Sequence, residues 1–429
     1  MTNNKKRFIF VSKEALIGDL VWKIKNEGHE VKYFIENKTE KDICDGFVDK
    51  VDKWEEFKDW ADVIIFDDVG FGTLAEKLRK EGKLVVGGSV YTDKLEVDRD
   101  FAVKEMIDAG VNVIPSWIFT DFDEAIKFIN KNPDKYVIKP SGIQQEDQKE
   151  LLFVGEEEDG KDVIQILELY KLRWSKKIKT FQLQKFISGV EIAVGAFFNG
   201  EDFIYPINVN FEHKKLFPGN IGPSTGEMGT SMYWSQPNTI FNETLLKMKE
   251  KLKQSGYVGY IDINCIVNGR GIYPLEFTSR FGYPTISIQI EGVMSEWGEF
   301  LYALAKKEKF DFKTKKGFQV GVVIAVPPFP FTDPDAFKRY SEDATIIFKK
   351  PNLDGIRLGE VKLVNGDFVL AGISGYALII VGTGTTMEEA KKAAYNKISN
   401  VIIPNMFYRT DIGERWFTDS DKLFAWGYI

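Results

Sequence analysis

The sequence contains few of the residues that build disulfide frameworks or histidine-rich metal sites. Its 429 residues include only two cysteines, Cys44 and Cys265, and two histidines, His29 and His213. A disulfide-stabilised secreted fold is therefore not expected, and the cysteine usage favours a reducing, cytoplasmic location. Because histidine is so scarce, a divalent metal would be bound by oxygen ligands, which suits Mg²⁺.

Long apolar runs and an excess of positive charge are also lacking. No apolar run approaches the roughly twenty residues that span a membrane, and the run FIFV near the amino terminus is better explained as a strand than as part of a signal peptide. The net charge of −7 argues against a general nucleic-acid surface. We therefore expect a soluble protein that binds neither membranes nor nucleic acids in general.

The order of apolar and amphipathic segments predicts several lobes, since 429 residues exceed one ordinary core. Up to about residue 95, short apolar runs alternate with amphipathic stretches, which predicts a parallel α/β unit. The stretch LEVDRDFAVKEMIDAG (95–110) is predicted to be one helix that ends at Gly110. From about 317 to 410 the sequence is typical of strands and ends in an amphipathic helix.

Polar residues interrupt or end several apolar strands. They are Lys139 in YVIKP, Lys185 in LQKF, Glu191, Asn264 in IDINCIV and Glu276 in YPLEF. A lysine at a strand end can bind phosphates, and carboxylate and amide oxygens on adjacent strands can bind Mg²⁺. Each residue alone is explained as well by a solvated strand end, so the pattern as a whole carries the interpretation.

Four separated motifs, in order, resemble one family. HKK followed by GPSTGEMG (222–229) is similar to HKR…GPNTGGMG of the phosphoribosylamine–glycine ligase (glycinamide ribonucleotide synthetase) family, within the ATP-grasp superfamily. LEFTSRFGYPT resembles the family motif EFNxRFGDPE, and GGSVYTDKLEVDRDFAVKEM resembles the family motif GPS…LExSKxFAKxxM. Near the carboxyl terminus, MFYRTDIG resembles the family motif FxRxDIG. The resemblance implies an ATP-grasp fold with an amino-terminal parallel α/β domain (1–95), an ATP-grasp domain (96–316; small lobe about 115–195, large lobe about 196–316) and a strand-rich α+β domain (317–429).

The family chemistry implies ATP and Mg²⁺ (or Mn²⁺) as cofactors and two small-molecule substrates, an amino acid and an amine. ATP phosphorylates the carboxylate of glycine, and the amine then attacks the acyl phosphate. Matching positions imply ATP-binding residues (Arg99, Lys139, Lys185, Phe186 and Glu191), metal ligands (Glu276, Asn264 and Thr278) and catalytic or amino-acid-site residues (Arg280, His213, Lys214, Ser224, Thr225 and Gly226). For His213 a hydrogen-bonded loop residue is the alternative. The glycine-rich stretch 222–229 is expected over the site of activation, where a purely structural loop is the alternative.

Several positions depart from the family pattern. Thr278 replaces a metal-binding asparagine, and GIQQEDQKE replaces a glycine-rich phosphate loop, so that Gln144, Gln145 or Lys149 would have to cover ATP. The segments that resemble the phosphoribosylamine site have also changed. VSKEALIGD (11–19) lacks the glycines of that loop, FDDVGFG (66–72) displaces its acid, and the Asp and Glu of FGDPE are replaced by Tyr283 and Thr285.

Three functions therefore compete. The prediction is an ATP-dependent, ADP-forming carboxylate–amine ligase with an altered amine site, whose amine is a nucleobase or nucleoside derivative stacked by Tyr283 and the aromatic stretch MYWS (232–235). The alternatives are a genuine phosphoribosylamine–glycine ligase of purine biosynthesis and a non-catalytic nucleotide-binding protein with the same fold. The expected oligomeric state is a monomer or a homodimer.

Overall fold

The structure is a computed structural model that describes residues 5–140, 152–174 and 180–429. Its amino-terminal unit is a parallel sheet with helices against it. The strands are β1 (Arg7–Ser12), β2 (Glu30–Ile35), β3 (Val63–Phe66) and β4 (Val85–Val86), in the order β2-β1-β3-β4, with helices α1 (Gly18–Asn26) and α2 (Gly72–Lys80). Short 3₁₀ turns lie at Lys38–Glu40 and Trp54–Phe57. The predicted parallel α/β unit is confirmed.

The helix predicted over residues 95–110 is in fact divided between two helices. These are α3 (Val90–Val97) and α4 (Arg99–Asp108), which meet at Asp98. Asp98 has an extended backbone, and its carboxylate accepts a hydrogen bond from the Phe101 N–H at 3.0 Å. An aspartate that caps a new helix competes with continuation of the old one. The single-helix prediction was wrong for this reason, and the break places Arg99 at the first turn of α4.

A small antiparallel sheet follows, with two helices packed on it. Its elements are β5 (Ser116–Phe119), α5 (Phe122–Lys131), β6 (Tyr136–Pro140), β7 (Phe153–Val154), α6 (Lys161–Trp174) and β8 (Phe181–Lys185), with strand order β5-β8-β6-β7. The apolar core of this lobe contains Phe122, Ile129, Leu167 and Leu183. Lys139 lies near the end of β6, opposite Gln182 of β8.

An eight-stranded sheet forms the centre of the remaining chain. The next elements are β9 (Val190–Phe198), β10 (Phe203–Glu212), β11 (Lys215–Phe217), β12 (Ile221–Ser224), β13 (Gly229–Ser235), α7 (Thr239–Glu243), a 3₁₀ turn (Leu245–Met248), α8 (Lys249–Gln254), β14 (Gly259–Asn268), β15 (Gly271–Thr278), α9 (Thr285–Gly292) and α10 (Trp297–Ala305). The carboxyl-terminal elements are β16 (Phe318–Ala325), α11 (Pro334–Tyr340), β17 (Ile347–Phe348), β18 (Ile356–Leu358), β19 (Val361–Val364), β20 (Asp367–Leu370), β21 (Tyr376–Gly384), α12 (Met387–Ile398), β22 (Val401–Ile402) and α13 (Arg415–Ala425). The large sheet has the order β15-β14-β9-β10-β13-β16-β21-β18.

The large sheet is continuous across the predicted boundary at 316/317. β13 pairs antiparallel with β16, so that Gly229 lies opposite Val322. β9 begins at residue 190 and lies wholly in the large sheet, although the predicted small lobe extends to about residue 195. One apolar cluster contains Leu20 of α1, Trp297 of α10 and Ile380 of β21, so the amino-terminal unit and the carboxyl-terminal strands share a core. The division into three domains stays a prediction.

The strand-rich carboxyl-terminal region is confirmed, and so is the α/β class with its parallel amino-terminal sheet and large antiparallel sheet. Within the described parts of the chain, no helix is both long enough and apolar enough to cross a membrane.

Candidate active site

Charged residues from separate segments meet between the small and the large sheet. Lys214, in the connection between β10 and β11, is the centre of this group. Its Nζ lies 2.9 Å from Glu276 Oε1 on β15, 3.6 Å from Glu191 Oε1 on β9 and 3.5 Å from Glu212 Oε2 at the end of β10. Strands β9, β14 and β15 are neighbours in one sheet, which explains how carboxylates far apart in sequence reach one ammonium group.

Two further cations approach the same carboxylate. The pKa of Glu276 is lowered to about 2, chiefly by Lys214, with Lys139 and Arg99 adding to the effect. Burial lowers the pKa of Lys139 to about 8, and the neighbouring Arg99 acts in the same direction. Burial also lowers the pKa of Arg99, against the attraction of Glu276. The structure therefore brings together five predicted residues: Lys214, Glu276, Lys139, Arg99 and Glu191. Glu276 is ionised throughout the neutral range.

The predicted metal ligands lie on two paired strands. Asn264 of β14 is directly opposite Glu276 in the register of β15, and Asp262 is opposite Thr278. The Asn264 amide donates to both oxygens of Glu212, at 3.3 and 3.2 Å, and its buried Oδ1 has no hydrogen-bond partner among the described residues. The Thr278 hydroxyl is a hydrogen-bond partner of Asp262.

These residues suit a Mg²⁺ ion that is shared between the protein and a bound nucleotide. An ionised Glu276 beside an unpartnered amide oxygen supplies two oxygen ligands, and Mg²⁺ usually takes its others from phosphates and water. Nowhere in residues 5–140, 152–174 or 180–429 do three or more His, Cys, Asp or Glu side chains form a metal cage. A metal held jointly with a phosphorylated ligand is the arrangement that this set of donors supports.

The glycine-rich stretch lies beside Lys214. Its first residues belong to β12 (Ile221–Ser224), which pairs with β11, so that Ser224 lies opposite Lys215. The Thr225 N–H and hydroxyl both donate to the Lys214 carbonyl, at 2.7 and 2.9 Å. Ser224 is exposed, and a Cβ at Gly226 would meet nothing within 4 Å. The hairpin therefore keeps an open polar turn next to the charged group.

Lys185 and Phe186 lie at the other end of β6 from Lys139. Lys185 is opposite Tyr136 in the register, and its Nζ is 2.5 Å from Asp134 Oδ2. The ammonium of Lys135 lies 4.3 Å from the centre of the Phe186 ring. No described contact joins this pair to Lys214. Gln144, Gln145 and Lys149, the residues expected to cover ATP, lie outside the described residues.

His213 and Arg280 face away from Lys214. His213 is buried, and burial together with Arg415 and Arg409 lowers its pKa to about 3, so its ring is neutral and faces the carboxyl-terminal segment. Arg280 Nε lies 3.2 Å from Glu96 Oε1 and 3.5 Å from Asp68 Oδ1. The structure brings neither predicted residue into contact with the central ammonium.

The three segments expected to form the amine site do converge. Asp67, after β3, accepts hydrogen bonds from the Ser12 hydroxyl, from the Lys13 N–H at 3.3 Å and from the Tyr283 hydroxyl at 3.2 Å. Burial and then Asp68 raise the pKa of Asp67 to about 7. The Lys13 ammonium donates to the Val69 carbonyl at 3.2 Å. This corner is rich in carboxylates, and its lysine is bound to the backbone.

Three carboxylates of the site were missed from the sequence: the buried Glu227 and Asp262, and Glu212, whose side chain is 9% exposed. Glu212 stands directly before the predicted pair His213–Lys214, and Asp262 interrupts an apolar strand two residues before Asn264. A carboxylate within an apolar strand is the signal that could have identified Asp262. Glu227 lies inside the glycine-rich stretch itself.

The sequence of the chain is similar to that of known ligases. The family model "Phosphoribosylglycinamide synthetase, ATP-grasp (A) domain" matches residues 97–286. The chain is 26% identical over 355 residues to phosphoribosylamine–glycine ligase of Listeria monocytogenes, covering 80% of this chain and 81% of that protein. It is also 26% identical over 357 residues to the enzyme of that name from Streptococcus pneumoniae, covering 81% and 82%.

Solved structures share the fold. Phosphoribosylamine–glycine ligase from Thermotoga maritima superimposes with a TM-score of 0.70 at 21% identity, over 94% of this chain and 99% of that one. The biotin carboxylase domain of the Hydrogenobacter thermophilus 2-oxoglutarate carboxylase, in complex with MgADP and bicarbonate, gives a TM-score of 0.63 at 13% identity, over 94% and 91%. The predicted ATP-grasp fold is confirmed.

ATP and Mg²⁺ are the cofactors of ATP-grasp enzymes, so the predicted cofactors agree with the family. The relatives are named as ligases, in line with the prediction of a C–N bond-forming enzyme. At 26% identity the match extends along about four-fifths of both chains. Residues 97–286 therefore match the phosphoribosylglycinamide synthetase ATP-grasp domain, and the chain resembles phosphoribosylamine–glycine ligases, which are ATP-grasp carboxylate–amine ligases, along most of its length.

Proposed function

We propose that this chain uses ATP to activate glycine or another small amino acid as an acyl phosphate and joins it to an amine, with release of ADP. The observation that carries this proposal is the convergence of Lys139, Arg99 and Lys214 around the ionised Glu276. Three cations and one carboxylate suit a polyphosphate with its divalent metal, because the cations bind phosphate oxygens and the carboxylate binds the metal.

The ATP site uses residues of both sheets. Lys139 and Arg99 contact the phosphates, while Glu191 binds the ribose hydroxyls. Lys185 and Phe186 line the adenine pocket at the far end of β6. Glu276, with Asn264 and the nearby Thr278, would hold Mg²⁺ or Mn²⁺, which would supply charge neutralisation for phosphoryl transfer.

The activation step needs a carboxylate oxygen held in line with the terminal phosphate. A carboxylate is a poor electrophile because its leaving group would be oxide, and phosphorylation converts that oxygen into a good leaving group. Lys214 neutralises charge between the two reactants, and its position is held by three carboxylates. The exposed Ser224 donates to the acyl phosphate, and Gly226 leaves its oxygens room. Thr225, expected to do the same, instead donates both its N–H and its hydroxyl to the Lys214 carbonyl and so anchors the turn. His213 supports the backbone of this turn, since its N–H and carbonyl bond to Gly229 and Met228.

We further propose that the amine is not phosphoribosylamine. The corner formed by Ser12, Asp67 and Tyr283 contains two aspartates, Asp67 and Asp68, and Arg280 is already paired with carboxylates. An anionic ribose phosphate would meet like charge there. A genuine phosphoribosylamine–glycine ligase is the alternative, supported by the names of the relatives.

The aromatic residues expected to stack a nucleobase are used in packing. The Tyr233 ring packs edge-on against Phe318 and Trp416, and Trp234 packs against Phe312. The Tyr283 ring lies 5.6 Å from the guanidinium of Arg280. A nucleobase or nucleoside amine stays a prediction, and these contacts add no support to it.

The proposal is tested by release of ADP from ATP and Mg²⁺ in the presence of a panel of amino acids, with and without amines. We expect glycine or another small amino acid to stimulate ADP release or ATP–phosphate exchange. The control is Glu276→Gln, which keeps the size of the side chain but neutralises metal charge poorly, so turnover should be lost in a folded protein. A wild-type protein that responds to no amino acid in either assay would contradict the proposal.

A further inference from the structure

Glu227 departs from the family motif at the centre of the site. GPSTGEMG has Glu227 where the resembled motif GPNTGGMG has glycine. The residue is 7% exposed, and its buried Oε1 has no hydrogen-bond partner in the described chain. An unpartnered carboxylate oxygen inside a protein costs free energy unless a ligand or a proton satisfies it.

The backbone holds Glu227 beside Lys214. The Thr225 N–H donates to the Lys214 carbonyl at 2.7 Å, and the Met228 N–H donates to the His213 carbonyl at 2.8 Å. Glu227 lies between these two anchored residues. Its side chain is therefore positioned by the same turn that places the hydroxyls of Ser224 and Thr225.

The surroundings of Glu227 are short of positive charge. Glu212, Asp262 and Glu191 disfavour the ionised form of Glu227, and Lys214 favours it. Lys214 is already within 4 Å of three other carboxylates. Burial and the neighbouring Glu212 raise the pKa of Glu227 well above its ordinary value, as expected for a carboxyl group with no cation of its own.

We propose that Glu227, together with Glu212, binds the ammonium group of the amino-acid substrate and so selects an amino acid over a carboxylate that has no cation. This inference rests on the proposed function. In an α-amino acid one carbon separates the carboxylate from the ammonium group. A single small zwitterion therefore matches the cation of Lys214 on one side and the unpartnered Glu227 oxygen on the other.

The test compares glycine with glycolate, which has the same length but a hydroxyl in place of the ammonium group. ATP–phosphate exchange or ADP release is measured for the wild type and for Glu227→Gln. We expect the variant to raise the KM for glycine about ten- to one-hundred-fold, the value of one charged hydrogen bond, and to leave the KM for ATP within about twofold. Any activity with glycolate should stay unchanged.

Two further variants separate recognition from folding. Glu227→Asp keeps the charge and should retain a preference for glycine over glycolate. Glu40→Gln is a matched control for the loss of a buried carboxyl group. Glu40 is also buried and has an unpartnered carboxyl oxygen, but its neighbours are Glu14, Glu360 and Asp42. If Glu227→Gln fails to fold, direct binding of glycine and glycolate to the wild type in the presence of ADP decides the matter. Equal affinities would overturn the inference.

The outcomes distinguish the two proposals. A wild-type protein that no amino acid stimulates overturns the proposed function and this inference together. A protein that glycine stimulates, but whose Glu227→Gln variant keeps the wild-type KM for glycine, overturns only the inference. A KM change for the amine acceptor in place of glycine would also overturn it, since Glu227 would then belong to the other substrate.

Discussion

Asp67 gives a pH-dependent stability that can be worked out from the structure. The carboxyl group is buried, and its pKa rises from an ordinary 3.8 to about 7. Because the pKa of Asp67 is raised in the folded state, the contribution of its protonated form to stability is complete below the pKa of the unfolded state. That contribution is lost as the pH rises through the pKa of the folded state. At 1.36 kcal/mol per pKa unit, this shift lowers the free energy of unfolding by roughly 2 kcal/mol at about pH 5.5, where folded Asp67 is still protonated, and by roughly 4 kcal/mol at about pH 8.5, where it is ionised.

Replacing Asp67 with asparagine should remove this dependence. The amide keeps the size of the side chain and one acceptor for the Lys13 N–H, and the hydroxyls of Ser12 and Tyr283 can reorient. We expect the free energy of unfolding of Asp67→Asn, relative to wild type, to increase by about 2 kcal/mol from pH 5.5 to pH 8.5. Urea denaturation at the two pH values measures it.

Asp62→Asn is the matched control. Its carboxylate pairs with Arg7, which lowers its pKa, so its stabilising effect is lost only as the pH falls toward the low folded pKa. Both the folded and the unfolded pKa of Asp62 lie below this pH window, so Asp62→Asn should cost the same at both pH values. A difference between Asp67→Asn and wild type that did not change with pH, or that decreased, would refute the reasoning about Asp67.

Three further predictions concern the site. Lys139→Met should raise the KM for ATP about ten- to one-hundred-fold and leave the KM for the amino acid unchanged in steady-state kinetics. A parallel rise in both KM values would contradict the proposed contact of Lys139 with phosphate. Arg409→Met should cost about 3 kcal/mol in urea unfolding, because buried Arg409 pairs with Asp411 and bonds the Lys215 carbonyl at 2.8 Å; a loss below about 1 kcal/mol would contradict this. Phosphoribosylamine should be a poor substrate. The test is to express this chain in cells that lack glycinamide ribonucleotide synthetase and to plate them without purines. Robust growth would contradict this prediction.

Much of the site was predictable from the order of residues along the chain. Lys139, Glu191 and Glu276 each interrupt or end an apolar strand, and polar residues at strand ends are visible in one sequence because strand periodicity is local. The family motifs then related these residues to one another. The parallel amino-terminal unit was predictable for the same reason, since alternation of strand and helix repeats within a few tens of residues.

Helix boundaries were less predictable. The segment 95–110 has a helical composition throughout, but the side chain of Asp98 caps α4 and ends the continuous helix. Capping competes with helix propagation by about 1 kcal/mol, which is close to the propensity differences that a sequence pattern reveals. The strand at residues 221–224 is not visible in the sequence pattern, because β12 depends on pairing with β11 across a turn.

The sequence alone indicated the family resemblance, the fold class and the strand-end residues proposed for the ATP site, because these follow from local patterns and ordered motifs. Only the tertiary structure decided which side chains share the site. Antiparallel pairing sets Asn264 opposite Glu276, and the folding of the sheet brings Glu212 into hydrogen-bond contact with Asn264. It also turns His213 toward Arg409 and Arg415, and buries Glu227 where Glu212, Lys214 and Asp262 act on its carboxyl group. Register and side-chain direction depend on contacts between residues far apart in the chain, and a single sequence does not contain those contacts.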